Sequence, residues 1–172
     1  MEPPVSKTGT AEVVELASHR VSRSALVRGL REGDAAVASA FHKQYGARIS
    51  RWVWRLLGGD PEHDDVVHQV FVNILSSIGK LRDVEALDAW VDSVTIRTVR
   101  KEIRRRRYSR FLVARHEIVE RAADPRHPAQ QAHVRRFYQL LGQLKPDDRI
   151  VLVLRHLEGC TLEEVAAANG YS

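Results

Sequence analysis

Apolar residues return along most of this chain at intervals of three and four, the period of helices with one buried face. Leu26, Val27 and Leu30 share a face of a short first helix, which Gly33 ends before Asp34 offers a side-chain oxygen to cap the next. Val37, Phe41, Tyr45, Ile49, Trp52, Val53 and Leu56 then form a long helical stripe that stops at Gly58-Gly59. Asp60-Pro61-Glu62 predicts the next start, with a cap, a proline in the first turn and acid at the positive dipole end. The helix it opens carries Val66, Val67, Val70, Phe71, Ile74, Leu75 and Ile78 as a broad core-facing stripe. After a loop from Gly79 to Asp83, an amphipathic helix is expected from about Val84 to Arg106, with Leu87, Trp90, Val91, Val94 and Ile103 inward and the arginines outward.

The pattern decays between about Tyr108 and Gln130, where Asp124-Pro125 and His127-Pro128 interrupt any helix. A second set follows. Val134, Phe137, Leu140, Leu141 and Leu144 mark one helix, and Ile150, Val151, Val153, Leu154 and Leu157 mark another that starts at Pro146-Asp147-Asp148 and ends at Gly159. Thr161 and Glu164 form a T-x-x-E capping box for a short helix that closes at Asn169-Gly170. Residues 146 to 172 thus read as a helix-turn-helix without its second helix, Ser172 standing where that helix would be capped. Helix pairs of this kind occur equally in proteins that never touch DNA.

The expected fold class is all-α, with two small helical domains joined by a flexible linker. The boundaries are a mobile N-terminal tail over 1–21, a helical domain over 22–107, a linker over 108–131 and a partial helix-turn-helix domain over 132–172. The 172 residues, 44% hydrophobic, suffice for this, and a content of 6% aromatic and 28% charged residues suits helices over strands.

Charge changes the picture more. The net charge is +5, yet Arg97 to Arg110 holds eight Arg or Lys against the lone Glu102, a surplus of +7 that leaves the rest of the chain at −2. A cationic stripe on an otherwise near-neutral protein points to a polyanion docking at one place. The stripe is also what a solvated helix face looks like. No apolar run reaches the roughly 18 residues of a membrane span, and Met1-Glu2-Pro3-Pro4 lacks a secretory signal, so a cytoplasmic protein without membrane insertion is expected. The single Cys160 forms no internal disulfide, in keeping with a reducing compartment. His63 and His68 stand five apart, which does not put both on one helix face, so no metal site is expected. Neither a nucleophile motif, a glycine-rich phosphate loop nor paired carboxylates among apolar neighbours occurs, and the expectation is a protein with no catalytic residues and no cofactor.

Two separated motifs give the reading a family. Asp64-Asp65-Val66-Val67-His68-Gln69-Val70-Phe71 is similar to an E-D-x-x-Q-E-x-F helix, and Trp90-Val91-Asp92-Ser93-Val94-Thr95-Ile96-Arg97, followed by Arg104 to Arg107, is similar to a W-L-x-x-I-A-R-N helix running into an arginine block. Leu144-Lys145-Pro146-Asp147-Asp148-Arg149 and Leu157-Glu158-Gly159-Cys160-Thr161-Leu162-Glu163-Glu164-Val165-Ala166 match L-P-x-x-x-R and E-G-x-S-x-x-E-I-A. In this order and spacing the chain resembles bacterial RNA polymerase sigma factors of the extracytoplasmic-function (ECF) group of the sigma-70 family. Residues 24 to 107 resemble their region 2, and residues 134 to 172 resemble the first part of region 4.

The resemblance implies a protein that binds core RNA polymerase and directs promoter recognition and −10 melting. Asp64, Asp65, His68 and Gln69 would meet the clamp coiled coil of the largest subunit, with His68 and Gln69 departing from the family's Gln and Glu. Region 4 would engage the polymerase flap, the linker would run toward the active-site cleft, and an anti-sigma factor would clamp both modules. Asp64 and Asp65 read without the family serve equally to complement the helix dipole. Arg97, Arg100, Lys101, Arg104 and Arg105 would grip the backbone of the −10 element, since guanidinium groups suit phosphate oxygens. Trp90 either stacks on an unpaired base or belongs to the core. The family's base-contacting positions are Ser93 and Arg97 here, and the loop from Gly79 to Glu85, which would cradle an extruded base, is unlike the family's, so no −10 preference transfers.

If the sequence stops only at an expression boundary, a −35 element is read by residues beyond Ser172; otherwise specificity rests on region 2. Two other readings stay open at this point. One is a sigma-like interaction protein that binds polymerase or an anti-sigma factor without initiating by itself. The other is a general basic nucleic-acid-binding protein.

Overall fold

Gly33 adopts the left-handed conformation (φ 75°) at the end of α1 (Arg23–Glu32), and Asp34 Oδ1 accepts the backbone N–H groups of Ala36 (2.8 Å) and Val37 (3.3 Å) to start α2 (Ala35–Leu57). A side chain with a Cβ is strained at that φ, so glycine sets the corner between the two helices. In this computed structural model, residues 21–58, 61–112 and 128–169 are described. Residues 1–20 of the expected N-terminal tail, most of the expected linker and Ser172 lie outside them, while Val21 packs against the core.

The remaining elements are α3 (His63–Ser77) with a 3-10 turn at Ile78–Lys80, α4 (Leu87–Leu112), α5 (Pro128–Leu141), α6 (Pro146–Leu152), a π-helical turn over Val153–Leu157, and α7 (Leu162–Asn169). The fold is all-α, and no strand occurs among the described residues. Pro128 opens α5 and Pro146 opens α6, positions where a missing N–H costs nothing.

The α2 stripe forms the floor of the core. Phe41, Ile49, Val53 and Leu56 are fully buried and Tyr45 nearly so, because spacings of four and three return each to the same face. Phe41 stacks on Tyr45 with ring centroids 4.5 Å apart and meets the edge of Phe71 at 6.1 Å, which ties α2 to α3. Burying one such phenyl ring is worth about 1.5–3 kcal/mol.

The expected cap of α3, Asp60, lies outside the described residues. The helix begins at His63, and the Glu62 carboxylate turns to Arg105 (3.2 Å) and Arg106 (3.1 Å) of α4. Two charged guanidinium donors outcompete a backbone N–H for a carboxylate. Leu75, expected in the core, is 44% exposed, because the partner helices cover only the faces of Val66, Val70, Phe71 and Ile74.

Helix α4 is the element on which the others converge. It packs on α2 and α3 along one side and on α6 and α7 along another. Val91, Val94, Thr95, Ile96, Thr98 and Val99 are therefore all buried, although only Val91 and Val94 were expected inward. The two buried hydroxyls are satisfied locally, Thr95 Oγ1 donating to the Val91 carbonyl and Thr98 Oγ1 to the Val94 carbonyl, each at 2.8 Å. Asn73 Nδ2 of α3 in turn donates to Thr98 Oγ1 at 2.9 Å.

A polar lattice fixes the N-terminal part of α4 against α1 and α2. Asp88 accepts the Tyr45 hydroxyl (2.8 Å) and the Arg23 guanidinium (Nη2 at 2.5 Å), and Arg23 also pairs with Glu85 (3.0 Å). Burial and the bond to Asp88 push the Tyr45 phenol up to about 12. Burial alone would raise Asp88, but its two donors outweigh it and hold the carboxyl below its ordinary value.

Candidate polymerase and nucleic-acid interfaces

Helix α3 presents two chemically distinct faces. Val66, Val70, Phe71 and Ile74 face the core, whereas Asp64, Asp65, His68 and Gln69 are all exposed. Asp65, His68, Val72 and Leu75 recur every three or four residues, so the acid at the start of the helix continues into apolar surface, Val72 being 42% and Leu75 44% exposed. Such a stripe, acidic then apolar, suits a helical protein partner carrying basic and apolar side chains. Gln69 also donates to Asn73 Oδ1 at 3.1 Å, and through it reaches Thr98 of α4.

The described cations of α4 separate into three groups. Arg97 and Lys101 are exposed and make no ion pair among the described residues; Arg97 Nε rests on the Ser93 carbonyl at 3.1 Å. Arg107 is exposed as well. Arg105 and Arg106 are held by acids: Arg105 meets Glu102 at 2.7 Å and Arg106 meets it at 2.5 Å, and both reach Glu62. The bond to Glu102 raises the Arg105 guanidinium further above its ordinary value. The arginine block is thus in part a cross-brace between α3 and α4.

Arg100 and Arg104, expected to face outward, turn toward the second helical set. Arg100 Nε lies 3.0 Å from Asp147 Oδ1, Arg104 Nη2 lies 3.1 Å from Asp147 Oδ2, and Arg100 also donates to the side chain and, at 3.4 Å, to the backbone carbonyl of Asn169. The Arg100 side chain keeps only 14% of its exposure. Asp147 was read only as a helix-start acid and Asn169 only as a turn residue. No periodicity or spacing connects either to α4, and only the packing of α6 and α7 across it does.

Trp90 and Ser93 are half-buried, and Trp90 packs against the core. Beside them Asp92 accepts Arg48 Nε at 2.8 Å and the Trp52 indole N–H at 3.1 Å. Three side chains from two helices therefore hold the turn of α4 between Trp90 and Ser93, and none of the three was legible as a unit in the sequence.

The expected helix from Pro146 to Gly159 is α-helical only to Leu152 and continues as the π-helical turn, whereas the capping box of α7 is built as expected. Thr161 N donates to Glu164 Oε2 (2.7 Å) and Glu164 N to Thr161 Oγ1 (3.2 Å), the reciprocal capping box, and Val165 is buried behind it. Val151, Leu157 and Leu162 remain exposed, as do Val134 and Leu140 of α5. The helix-turn-helix pair also touches α2, where Glu158 forms an ion pair with Arg55; from α5, the Tyr138 hydroxyl donates to the Arg55 carbonyl at 3.3 Å while its ring meets Trp54 edge-on at 5.9 Å. Burial, then Glu164 and Asp92, raise the Cys160 thiol above its ordinary value. No group of side chains able to hold a metal ion occurs among the described residues, and no described helix is long and apolar enough to cross a membrane.

Two family models match the chain. Residues 41–108 match the model of Sigma-70 region 2 and residues 135–170 that of Sigma-70, region 4. The chain is 21% identical over 142 residues to RNA polymerase sigma factor CarQ of Myxococcus xanthus, covering 83% of this chain and 82% of that protein. It is 24% identical over 145 residues to ECF RNA polymerase sigma factor SigE of Mycolicibacterium smegmatis, covering 80% of this chain and 56% of SigE. The fold resembles that of CnrH, solved in complex with the cytosolic domain of CnrY, with a TM-score of 0.55 and 20% identity over 88% of this chain and 84% of the other.

Proposed function

Because this chain belongs to the sigma-70 family, in its ECF group, and so to the factors of transcription initiation, we propose that it docks on core RNA polymerase through the exposed face of α3 and on the promoter −10 element through α4. The observation that carries this reading is the segregation of charge on two adjacent helices. Asp64, Asp65, His68 and Gln69 are exposed on α3, and Arg97 and Lys101 are exposed on α4, with one shared core behind them. A single rigid body then meets a basic protein surface on one side and phosphates on the other.

In this reading Asp65 is the central acid of the clamp contact, and Val72 and Leu75 extend it with apolar area. Arg97 and Lys101 neutralise backbone phosphates, each releasing counterions. Ser93 and Arg97 lie where bases would be read, held by the Arg48, Trp52 and Asp92 lattice. Trp90 supports this surface from the core side and does not stack freely on a base. The factor supplies affinity for separating strands and has no catalytic residue of its own. The exposed apolar residues Leu140, Val151 and Leu157 offer region 4 a surface for the polymerase flap. CnrH was solved with the cytosolic domain of another protein, which supports an anti-sigma factor as a further partner and a cytoplasmic site of action.

The test is size-exclusion chromatography of the purified chain with bacterial core RNA polymerase, repeated with a primary sigma factor as competitor. Co-elution lost on competition is expected. Failure to co-elute while free DNA binding persists would overturn the sigma reading in favour of general nucleic-acid binding. Competed co-elution without promoter opening would leave a polymerase-binding interaction protein.

A further inference from the structure

Where α1 ends, a groove opens between that helix and the end of α3, walled by Leu30, Arg31, Leu75, Ile78 and Gly79. Leu75 is 44% exposed, and a Cβ built on Gly79 would meet no atom within 4 Å, so apolar surface lies open here. Arg31 spans one side of the groove, its Nη2 donating to the Leu81 carbonyl at 2.5 Å. Neither Arg31 nor the exposed Lys80 beside Gly79 forms an ion pair among the described residues. An apolar groove with a cationic rim suits a short segment that carries apolar residues and acids together.

Such a segment precedes α1 in the same chain. Ala11-Glu12-Val13-Val14-Glu15-Leu16-Ala17-Ser18 holds Val13, Val14 and Leu16 with the acids Glu12 and Glu15, and neither Lys nor Arg. We propose that residues 11–18 dock in the groove between α1 and α3, with Val13 and Leu16 on Leu30 and Leu75, and Glu12 and Glu15 toward Arg31 and Lys80. As a helical turn the segment puts Val13, Leu16 and Ala17 on one face, at i, i+3 and i+4, and its two acids one position earlier. The path is long enough. Val21 packs against the core at the start of α1, whose ten residues rise about 15 Å. The six steps from Leu16 to Ser22 reach up to about 20 Å when extended, so the chain can double back along α1 to the groove. Tethering makes this docking intramolecular, and a small apolar contact then suffices. Leu75 also belongs to the α3 face proposed to meet polymerase, so segment and polymerase exclude one another there; that consequence rests on the reading of α3, whereas the docking itself does not.

The experiment places a nitroxide on Ala11→Cys in the full, isotope-labelled Cys160→Ser chain and reads relaxation of the backbone amides by NMR. Selective broadening is expected at Leu30, Arg31 and Gly79. Val13→Ser with Leu16→Ser is expected to remove it, as is Gly79→Leu, which fills the groove without touching the segment. Glu15→Arg is expected to weaken the broadening, and Arg31→Glu in the same chain to restore it. Broadening that is absent from these amides, or that survives both the Val13→Ser, Leu16→Ser pair and Gly79→Leu, would overturn the docking. Broadening that passes from a spin-labelled chain to a separate isotope-labelled one would assign the groove to a second copy and overturn it as well. In competition chromatography the Val13→Ser, Leu16→Ser chain is expected to bind core polymerase about threefold more tightly, the change that follows when the groove is covered in two chains of three. Equal affinities would overturn the exclusion at Leu75. If no chain co-elutes with core polymerase, the sigma reading falls, while the relaxation measurement still decides the docking.

Discussion

The indole N–H of Trp52 donates to Asp92 Oδ1 at 3.1 Å, and Arg48 Nε shares the same oxygen at 2.8 Å. This half-buried arrangement joins α2 to the turn of α4 that lies between Trp90 and Ser93. Asp92→Ala leaves a guanidinium and an indole N–H without their acceptor, a loss of about 1–3 kcal/mol. Urea denaturation is expected to show a lowered midpoint with an unchanged slope, and Asp92→Asn, which keeps one acceptor, is expected to lose less.

Asp65 lies in the first turn of α3, on its exposed face. Asp65→Arg inverts that charge in the first turn of α3, where loss of the favourable helix-dipole interaction costs about 0.3–1 kcal/mol. Competition chromatography is expected to show loss of core polymerase binding by a chain that still melts cooperatively, with a midpoint only slightly lowered. Retained affinity in a folded variant would remove α3 as the docking surface.

Arg97 and Lys101 are exposed cations of α4 with no ion pair among the described residues, so each phosphate they neutralise contributes to the salt dependence of DNA binding. Removal of either by Ala is expected to lower the slope of log K against log salt by about 0.9 if the contact is to duplex, and about 0.7 if it is to a single strand. Arg105→Ala, whose side chain is already committed to Glu102 and Glu62, is expected to change the slope less and the thermal stability more. A titration series on a forked duplex separates the three.

Gly58 has φ 78°, and a Cβ built on it would lie 2.8 Å from Cδ1 of Tyr138. Gly58→Ala therefore meets both backbone strain and the ring of α5, and a cost of about 1–3 kcal/mol is expected. Tyr138→Ala in the same chain removes the clash but not the strain, so the double variant is expected to recover part of the loss in thermal melts.

The Asp88 carboxyl titrates below its ordinary value in the folded chain. Its contribution is therefore complete above the unfolded carboxylate value of about 3.9 and is lost as pH falls through the lower folded value. The stability difference between wild type and Asp88→Asn is expected to be constant near neutrality and to shrink below about pH 4. A difference that grows with acidity would reverse the sign and remove the donors Tyr45 and Arg23 as its cause.

Most of the helices were legible because each has a local cause. Gly33 and Asp34 end and cap, Pro146 starts, Thr161 and Glu164 close a capping box, and the stripe from Phe41 to Leu56 repeats with the helical period. The exposed side of α3 followed by subtraction, since Asp64, Asp65, His68 and Gln69 fall between its apolar positions. The bond of Glu62 to α4 was not legible, because its partners are two guanidinium groups more than forty residues away.

What the sequence by itself determined is the all-α class, the family, and which residues carry charge, because helix period and short motifs are properties of neighbours along the chain. Tertiary structure alone decided which of those charges are available. Arg97 and Lys101 stay open, Arg105 and Arg106 brace α3, and Arg100 and Arg104 face Asp147, whose separation in sequence conceals their contact. A charge acts according to what lies within a few ångströms of it, and that distance is set by packing across the chain, not by position along it.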